Sequence, residues 1–487
     1  MIMPHARHHA LLLLWLVAAS VAGCQARPPA RTAASGASSG PSRLGPLRVH
    51  PHNPRYFTDD GQRAIYLTGS HTWSNLVDMA PRGAPARFDF PAYLDFLDRH
   101  GHNFIRLWAF ELIRWNAGIW DKTHRLQTVA LHPWSRTGPG QAVDGGPRFD
   151  LTVPNPEYFG RLRERVAAAR ARGIYVSVML FEGYGMQDAQ PGGAWEQHPF
   201  HPTNNINGLG GDVKEGVQIH ELVSPAVTAV QEAYVRKVID TVNDLDNVLY
   251  EISNENHGAS TAWQYHMIRF IKEQERTLPR QHPVGMTFQQ KGGTNQNLFD
   301  SPADWISPSY DDGYKDDPPA ATGKKVILSD TDHLWGLGGE LAWVWKSFTR
   351  GLNPLLMDGY DGSVIDSPLL PDAQAEPLRR NLGHTLRYAR RMKLAAMTPQ
   401  GALSSSGYCL ADPGREYLVF VPGGDPVTVD LTHAAGSSLV VEWFNPADGQ
   451  TSAAKPVAGG TKTSFAPPFP NEAVLYLRPV ASPAQQP

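Results

Sequence analysis

Val248-Leu249-Tyr250-Glu251-Ile252-Ser253-Asn254-Glu255-Asn256-His257 is an apolar run that turns polar within a few residues. Its period of two sets Val248, Tyr250 and Ile252 on one face and Leu249, Glu251, Ser253 and Glu255 on the other, the alternation of a β-strand. The apolar face belongs against helices, so Glu255 is expected to point into the open end of the assembly that this strand helps to build. Upstream, Ser224-Pro225 opens a helix carrying Val227, Val230, Tyr234 and Val238, and Asn155-Pro156 opens another whose Phe159, Leu162, Val166 and Ala169 share a face before Gly173 stops it. Downstream, Leu378, Leu382, Leu386 and Ala389 mark the last amphipathic helix.

Between these helices lie eight strand candidates, at 65–69, 104–110, 174–181, 248–254, 284–288, 305–309, 326–329 and 354–358. Alternating strands and helices are the grammar of a parallel sheet, and eight of each predict an α/β fold, a (β/α)8 TIM barrel over 47–401 with long loops. The unit joining the fifth strand to the sixth is the weakest, because 289–302 carries no helical period. A hairpin around Asp60-Gly61 precedes the barrel. After Ala402 only strands and turns remain, at 417–422, 427–431, 439–444 and 473–477, which predicts a small all-β sandwich over 402–482. No internal repeat of fixed period is present.

Composition narrows the function. The chain has 487 residues, a net charge of −3 and no block of Lys or Arg, so the electrostatic footprint of a nucleic-acid binder is missing and nucleic acid is not an expected partner. Only two cysteines occur, Cys24 and Cys409, which leaves neither a disulfide framework nor a Cys-based zinc site.

The first 24 residues form a leader: Arg7, flanked by His5, His8 and His9, precedes the apolar run from Leu11 to Val17, and the segment closes on Val21-Ala22-Gly23-Cys24. That is an export signal. Its ending resembles the bacterial lipobox, which implies lipidation at Cys24 and an exported lipoprotein held on a membrane, on the periplasmic side or at the cell surface, by its lipid anchor alone. Residues 25–46 are rich in Pro, Ala, Ser, Gly and Arg and read as a flexible tether.

In (β/α)8 enzymes the active site lies at the carboxyl ends of the strands, and here those ends are polar. The first reads Ser70-His71-Thr72-Trp73, the second carries Arg106 and Trp108 and ends at Glu111, the third ends at Glu182, and the fourth ends in Asn254-Glu255-Asn256-His257. The sixth ends at Tyr310-Asp311-Asp312, and the seventh reads Val326-Ile-Leu-Ser-Asp330-Thr-Asp332-His333-Leu-Trp335. Two carboxylates across a barrel mouth lined with tryptophans suit glycosidic bond cleavage, in which one protonates the leaving oxygen and the other attacks or assists at the anomeric carbon.

The segment from Tyr250 to Asn256 resembles the strand-four signature of clan A glycoside hydrolases, the family 5 cellulase-like barrels. The resemblance implies Glu255 as acid/base and a nucleophile at the end of strand seven, where Asp330 stands in place of the usual Glu. It also aligns Arg106 with the strand-two arginine and Tyr310 with the strand-six aromatic. The opening Asp60-to-Trp73 stretch, together with Glu442-Trp-Phe-Asn-Pro-Ala-Asp-Gly449 in the late sandwich, looks more like the apiosidase-like barrels of family 140, whose C-terminal domain is described as collagen-binding. Asp332 shares the parity of Asp330 and stays a candidate for the second carboxylate. Retention is the expected stereochemistry, although the shorter Asp side chain pulls toward the wider gap of inversion.

His71, Trp73, Trp108, Glu111, Glu182, Asn254, His257, Tyr310, Asp332, His333 and Trp335, with Arg106, are the candidate carbohydrate contacts. Trp115, Trp120 and Trp195 stand near the same rim. Each histidine fits loop packing as readily as sugar binding, and Glu255 could instead be the partner of a buried ion pair with Arg106. No cofactor or metal is expected: no His-x-His ends the first strand, and His198-Pro-Phe-His201-Pro is broken by prolines. The competing functions are a surface-tethered carbohydrate- or matrix-binding protein on a hydrolase scaffold and, less favoured, a metal-dependent hydrolase.

Overall fold

The computed structural model describes residues 45–81, 83, 85–116, 126–187, 194–360 and 372–480. The leader with Cys24, nearly all of the tether, and Trp120 lie outside them. Eight strands form one parallel sheet: β1 (Gly69–His71), β2 (Phe104–Leu107), β3 (Tyr175–Glu182), β4 (Val248–Asn254), β5 (Val284–Thr287), β6 (Trp305–Ser307), β7 (Val326–Asp330) and β8 (Asn353–Met357). They neighbour one another in the order 1-8-7-6-5-4-3-2. The seam between β1 and β2 has no strand ladder. Asn103 closes it instead: its N–H donates to Thr68 O (3.0 Å), its Oδ1 accepts from Thr68 N (2.9 Å), and its Nδ2 donates to Tyr66 O (2.8 Å). A Cβ on Gly69 would lie 2.3 Å from Phe104 O, so this close approach requires glycine.

Outside the sheet pack α1 (Phe90–His100), α2 (Pro156–Ala171), α3 (Pro225–Val242), α4 (Thr261–Glu275), α5 (Asn295–Asp300), α6 (Leu341–Thr349) and α7 (Asp372–Arg391). The expected starts hold: Asn155 accepts from Glu157 N and Ser224 from Val227 N, each followed by Pro at the first helical position. Two expectations need correction. Residues 289–302 do contain a helix, α5, too short to display a period and started by Thr294 accepting from Asn297 N. The barrel carries seven outer α-helices among the described residues rather than eight, since β6 reaches β7 through a 3-10 turn at Asp311–Gly313. The loops after β1 and β2 also build strands that the sequence did not disclose, a sheet of Asp78–Ala80, Arg114–Asn116 and Leu126–Ala130 and a hairpin of Trp134–Gln141 with Pro147–Pro154.

Period two fills the barrel in layers. Leu67, Phe104, Tyr175, Leu249, Trp305, Val326, Leu328 and Leu355 share one apolar cluster with Leu47, Phe57 and Ile65 of the preceding hairpin, which plugs the amino-terminal end. Two residues further along the same inward faces come Arg106 after Phe104, Glu251 after Leu249 and Asp330 after Leu328. The outward residues Val248, Tyr250, Ile252 and Ile327 pack in the helix-facing core, as the alternation requires.

The sandwich pairs a six-stranded antiparallel sheet, whose strands include Cys409–Asp412, Glu416–Val421, Ser438–Phe444, Thr451–Ala458 and Ala473–Pro479, with a two-stranded layer of Val427–Asp430 and Lys462–Phe465. Alternation decides which side goes where. Leu418, Phe420, Phe444, Val474 and Tyr476 pack with Trp345, Phe348, Leu386 and Tyr388 of α6 and α7. Tyr417, Val419, Leu439, Val441, Trp443 and Leu475 pack beneath the two-stranded layer with Val427, Val429 and Phe465. Both faces of the large sheet are therefore covered over its central strands, while the edge strand Thr451–Ala458 stays largely exposed, and Arg391 adds a bidentate pair to Glu442 (2.7 and 2.9 Å) across the junction with the barrel.

Candidate active site

Arg106 organises the carboxyl end of the barrel. A guanidinium has five N–H donors, and each meets an oxygen: Nε donates to Glu251 Oε2 (2.9 Å), Nη2 to Glu251 Oε1 (2.6 Å) and Asn254 Oδ1 (2.6 Å), and Nη1 to Asp330 Oδ2 (3.1 Å) and Asp332 Oδ2 (3.0 Å). Burial works against the charge on Arg106, yet Glu251, Asp330 and Asp332 outweigh it and hold the guanidinium protonated. Parity brings these groups together, because β2, β4 and β7 each contribute an inward residue at one level.

The two strand-seven aspartates sit in different surroundings. Asp330 is fully buried. Its Oδ2 accepts from Arg106 and from His71 Nε2 (2.7 Å), and its Oδ1 accepts from Asp332 N (3.0 Å). Trp108 Nε1 donates to His71 Nδ1 (2.9 Å); an indole N–H only donates, so the His71 proton is on Nε2, facing Asp330. Burial alone would raise Asp330, but His71 and Arg106 hold its carboxyl well below the usual range. Asp332, in the 3-10 turn after β7, has one oxygen on Arg106, and its Oδ1 has no hydrogen-bond partner among the described residues. Burial and the charge of Asp330 raise it to about 6, against the pull of Arg106.

Glu255 follows β4 with φ of +42°, a left-handed conformation that non-glycine residues adopt at a cost and that concentrates at functional sites. Burial first, then the charges of Asp332 and Glu182, push its carboxyl well above the ordinary value; Arg106 and a 3.4 Å bond from Gln290 Nε2 to Oε2 oppose them. Glu255 Oε1 has no partner among the described residues. One carboxyl kept protonated beside another that ionises near neutrality is the division of labour of an acid and a base.

The remaining candidates separate into four groups. Asn254, Glu182 and His333 join the cluster. Glu182 Oε1 and Oε2 accept from Tyr184 N (2.9 Å) and Gly185 N (2.8 Å), and its carboxyl is raised to about 7 by burial against those bonds. His333 Nδ1 meets Ser307 Oγ (2.7 Å), and burial and Arg106 lower it to about 3. Trp73, Trp108 and Trp115 are buried and pack on one another and on Phe110; Trp108 also lies under Arg106, so their faces support the cluster from behind. Glu111 is likewise buried, with its carboxylate on the Glu182 N–H (3.1 Å); burial and Glu182 raise it to about 8. His257 turns to the loop carbonyl of Val217 (3.1 Å), and Trp195 packs on His198 and His201. At the rim, Tyr310 is 55% exposed beside Phe288, and the half-buried Trp335 carries Lys315 over its ring. Phe288, Tyr310 and Trp335 thus present partly exposed ring faces at the rim.

Sequence reasoning passed over Glu251, although its inward parity beside Arg106 was readable, and also Gln187 and Gln290, which lie in loops and carry no pattern. Among the described residues no group of three or more His, Cys, Asp or Glu side chains is arranged to hold a metal ion.

A domain family described as "Domain of unknown function (DUF6298)" matches residues 114–292. A second, described as "Putative collagen-binding domain of a collagenase", matches residues 400–476. No curated protein matches the sequence. Among solved structures, a glycoside hydrolase family 5 protein from Bacteroides vulgatus ATCC 8482 superposes with a TM-score of 0.60 at 13% identity, over 91% of this chain and 95% of its own. Another glycoside hydrolase does so with a TM-score of 0.58 at 13% identity, over 91% and 98%. At that identity the likeness establishes the fold, a TIM barrel followed by a β-sandwich.

Proposed function

We propose that this chain is a glycoside hydrolase that cuts a poly- or oligosaccharide with Glu255 as proton donor and Asp332 as the second carboxylate. The observation that carries the reading is the contrast at the barrel mouth. Among the described residues Glu255 and Asp332 each keep an oxygen without a hydrogen-bond partner, whereas Asp330 has both oxygens engaged by three donors. Asp330, which the family resemblance favours as nucleophile, fits better as the group that orients Arg106 and His71.

In the proposed retaining course the Asp332 carboxylate attacks the anomeric carbon as Glu255 gives its proton to the leaving oxygen, so that the glycosidic bond breaks and a glycosyl ester forms. Glu255, now ionised, takes a proton from water that attacks the same carbon, releasing the sugar and restoring both side chains. Arg106 holds Asp332, and Phe288, Tyr310 and Trp335 face the sugar. Placement among the apiosidase-like barrels is the finer form of the proposal and makes apiose-containing glycans part of any substrate screen. We also propose export and lipid attachment at Cys24, tested by detergent partitioning of the wild type against Cys24→Ser.

The decisive experiment is digestion of a panel of plant and bacterial polysaccharides, with products followed by mass and by NMR of the first-formed anomer. A cut glycan with retained configuration supports the proposal. Cleavage that survives Glu255→Gln undiminished refutes it, as does a glycan bound by wild type and Glu255→Gln alike but never cut.

A further inference from the structure

The left-handed turn at Glu255 is held from outside its own strand. Gln187 Nε2 donates to Glu255 O (2.7 Å) and to Gly183 O (3.0 Å). Gln187 ends the one-turn helix Tyr184–Gln187, and the first two N–H groups of that helix are taken by the Glu182 carboxylate at the end of β3. Glu182 N in turn donates to Glu111, beyond the end of β2. From the β5 side, Lys291 Nζ donates to Gln187 O (2.8 Å). The approach is tight at two glycines: a Cβ on Gly183 would lie 2.7 Å from Asn256 Cα, and one on Gly185 would lie 2.8 Å from Glu182 Oε2.

We propose that residues Glu182 to Gln187 form a clip that fixes the proton donor, with Gln187 as a positioning residue that holds the Glu255 carbonyl and, through it, the left-handed turn that aims the carboxyl. The proposal rests on the reading of Glu255 as acid. It also reassigns Glu111 and Glu182 from sugar contacts to a brace running across three successive strand ends. The physical argument is that a left-handed backbone conformation at a residue other than glycine is costly and persists only where its surroundings over-determine it. Neither the β4 ladder nor the Glu255 side chain, whose one hydrogen bond among the described residues is the long one from Gln290, supplies that constraint.

Gln187→Met keeps the side-chain length and removes the donor; Gln187→Lys keeps a donor. In a crystal structure of Gln187→Met, Glu255 is expected to leave positive φ and its carboxyl to move, while Gln187→Lys keeps the wild-type turn. On whichever of a panel of 4-nitrophenyl and 2,4-dinitrophenyl glycosides the wild type cleaves, Gln187→Met should lower kcat on the order of 10- to 100-fold with KM little changed. The loss should be greater for the poorer 4-nitrophenyl leaving group, which needs the proton more, and Gln187→Lys should recover most of it. An unmoved Glu255 in Gln187→Met, or equal losses on both leaving groups, overturns the clip. Failure of the underlying reading looks different, because Glu255→Gln would then itself show no dependence on the leaving group.

Discussion

Replacing Arg106 by Lys deletes a planar fork that satisfies four side chains at once. Lysine brings three donors on a point charge, so at least two of the five oxygen contacts, at 2.6, 2.6, 2.9, 3.0 and 3.1 Å, lose their partner. A hydrogen bond to a charged group contributes about 1.5–3 kcal/mol, and breaking a buried pair costs about 3–5 kcal/mol. Both routes lead to an expected loss of about 3–5 kcal/mol, and Arg106→Met should lose at least as much. The assay is urea unfolding followed by tryptophan fluorescence, with the slope required to stay at the wild-type value. The pH dependence carries a sign. In Arg106→Met the carboxyl of Asp330 loses its guanidinium partner and takes up a proton more readily than in the wild type, whose Asp330 stays ionised, so the stability that this group withdraws as pH falls is smaller in the variant. The deficit should therefore narrow between pH 7 and pH 4. A loss below about 1 kcal/mol in both variants, the scale of an exposed ion pair, would refute the hub.

Glu255→Gln should abolish turnover yet raise the thermal midpoint at pH 7 to 8. Its carboxyl is raised on folding, so ionisation in the unfolded chain withdraws stability as pH climbs above the unfolded value; a midpoint that falls would contradict this. The acid limb of kcat/KM should lie near pH 6, where Asp332 takes up its proton, and should move to lower pH in Asp330→Asn, which removes one of the charges that raise Asp332; a limb that moves to higher pH in that variant counts against the assignment. Gly69→Ala must displace Phe104 O, 2.3 Å from the new Cβ, and should cost about 1–3 kcal/mol in the same urea assay. Ending the chain at residue 397 would bare Trp345, Phe348, Leu386 and Tyr388, and the truncated barrel is expected to be insoluble or unfolded; a soluble, cooperatively folding barrel would show that the sandwich is separable.

The barrel was legible because its strands alternate and its helices announce their starts. The 248–254 strand was read to the residue, and Asn155-Pro156 and Ser224-Pro225 are caps whose chemistry is local. The same parity located Glu255, while Arg106 and Asn254 were marked by their places near strand ends. It could not rank Asp330 against Asp332, because parity ends with the strand: the choice depends on a turn in which Asp330 caps the N–H of Asp332, and on His71 arriving from β1. The tryptophans misled for a related reason. An aromatic beyond a strand end can face the pocket or its neighbours, and Trp73, Trp108 and Trp115 chose each other. Gln187 acts through a backbone carbonyl, a contact that leaves no trace in a residue pattern.

The central claim is most directly tested by the turnover of Glu255→Gln and Asp332→Asn on the glycan that the wild type cuts, with circular dichroism confirming that both remain folded. Each should fall by three orders of magnitude or more, roughly the loss expected when either member of an acid–nucleophile pair is removed. A folded Asp332→Asn that retains even a tenth of wild-type turnover would contradict the account.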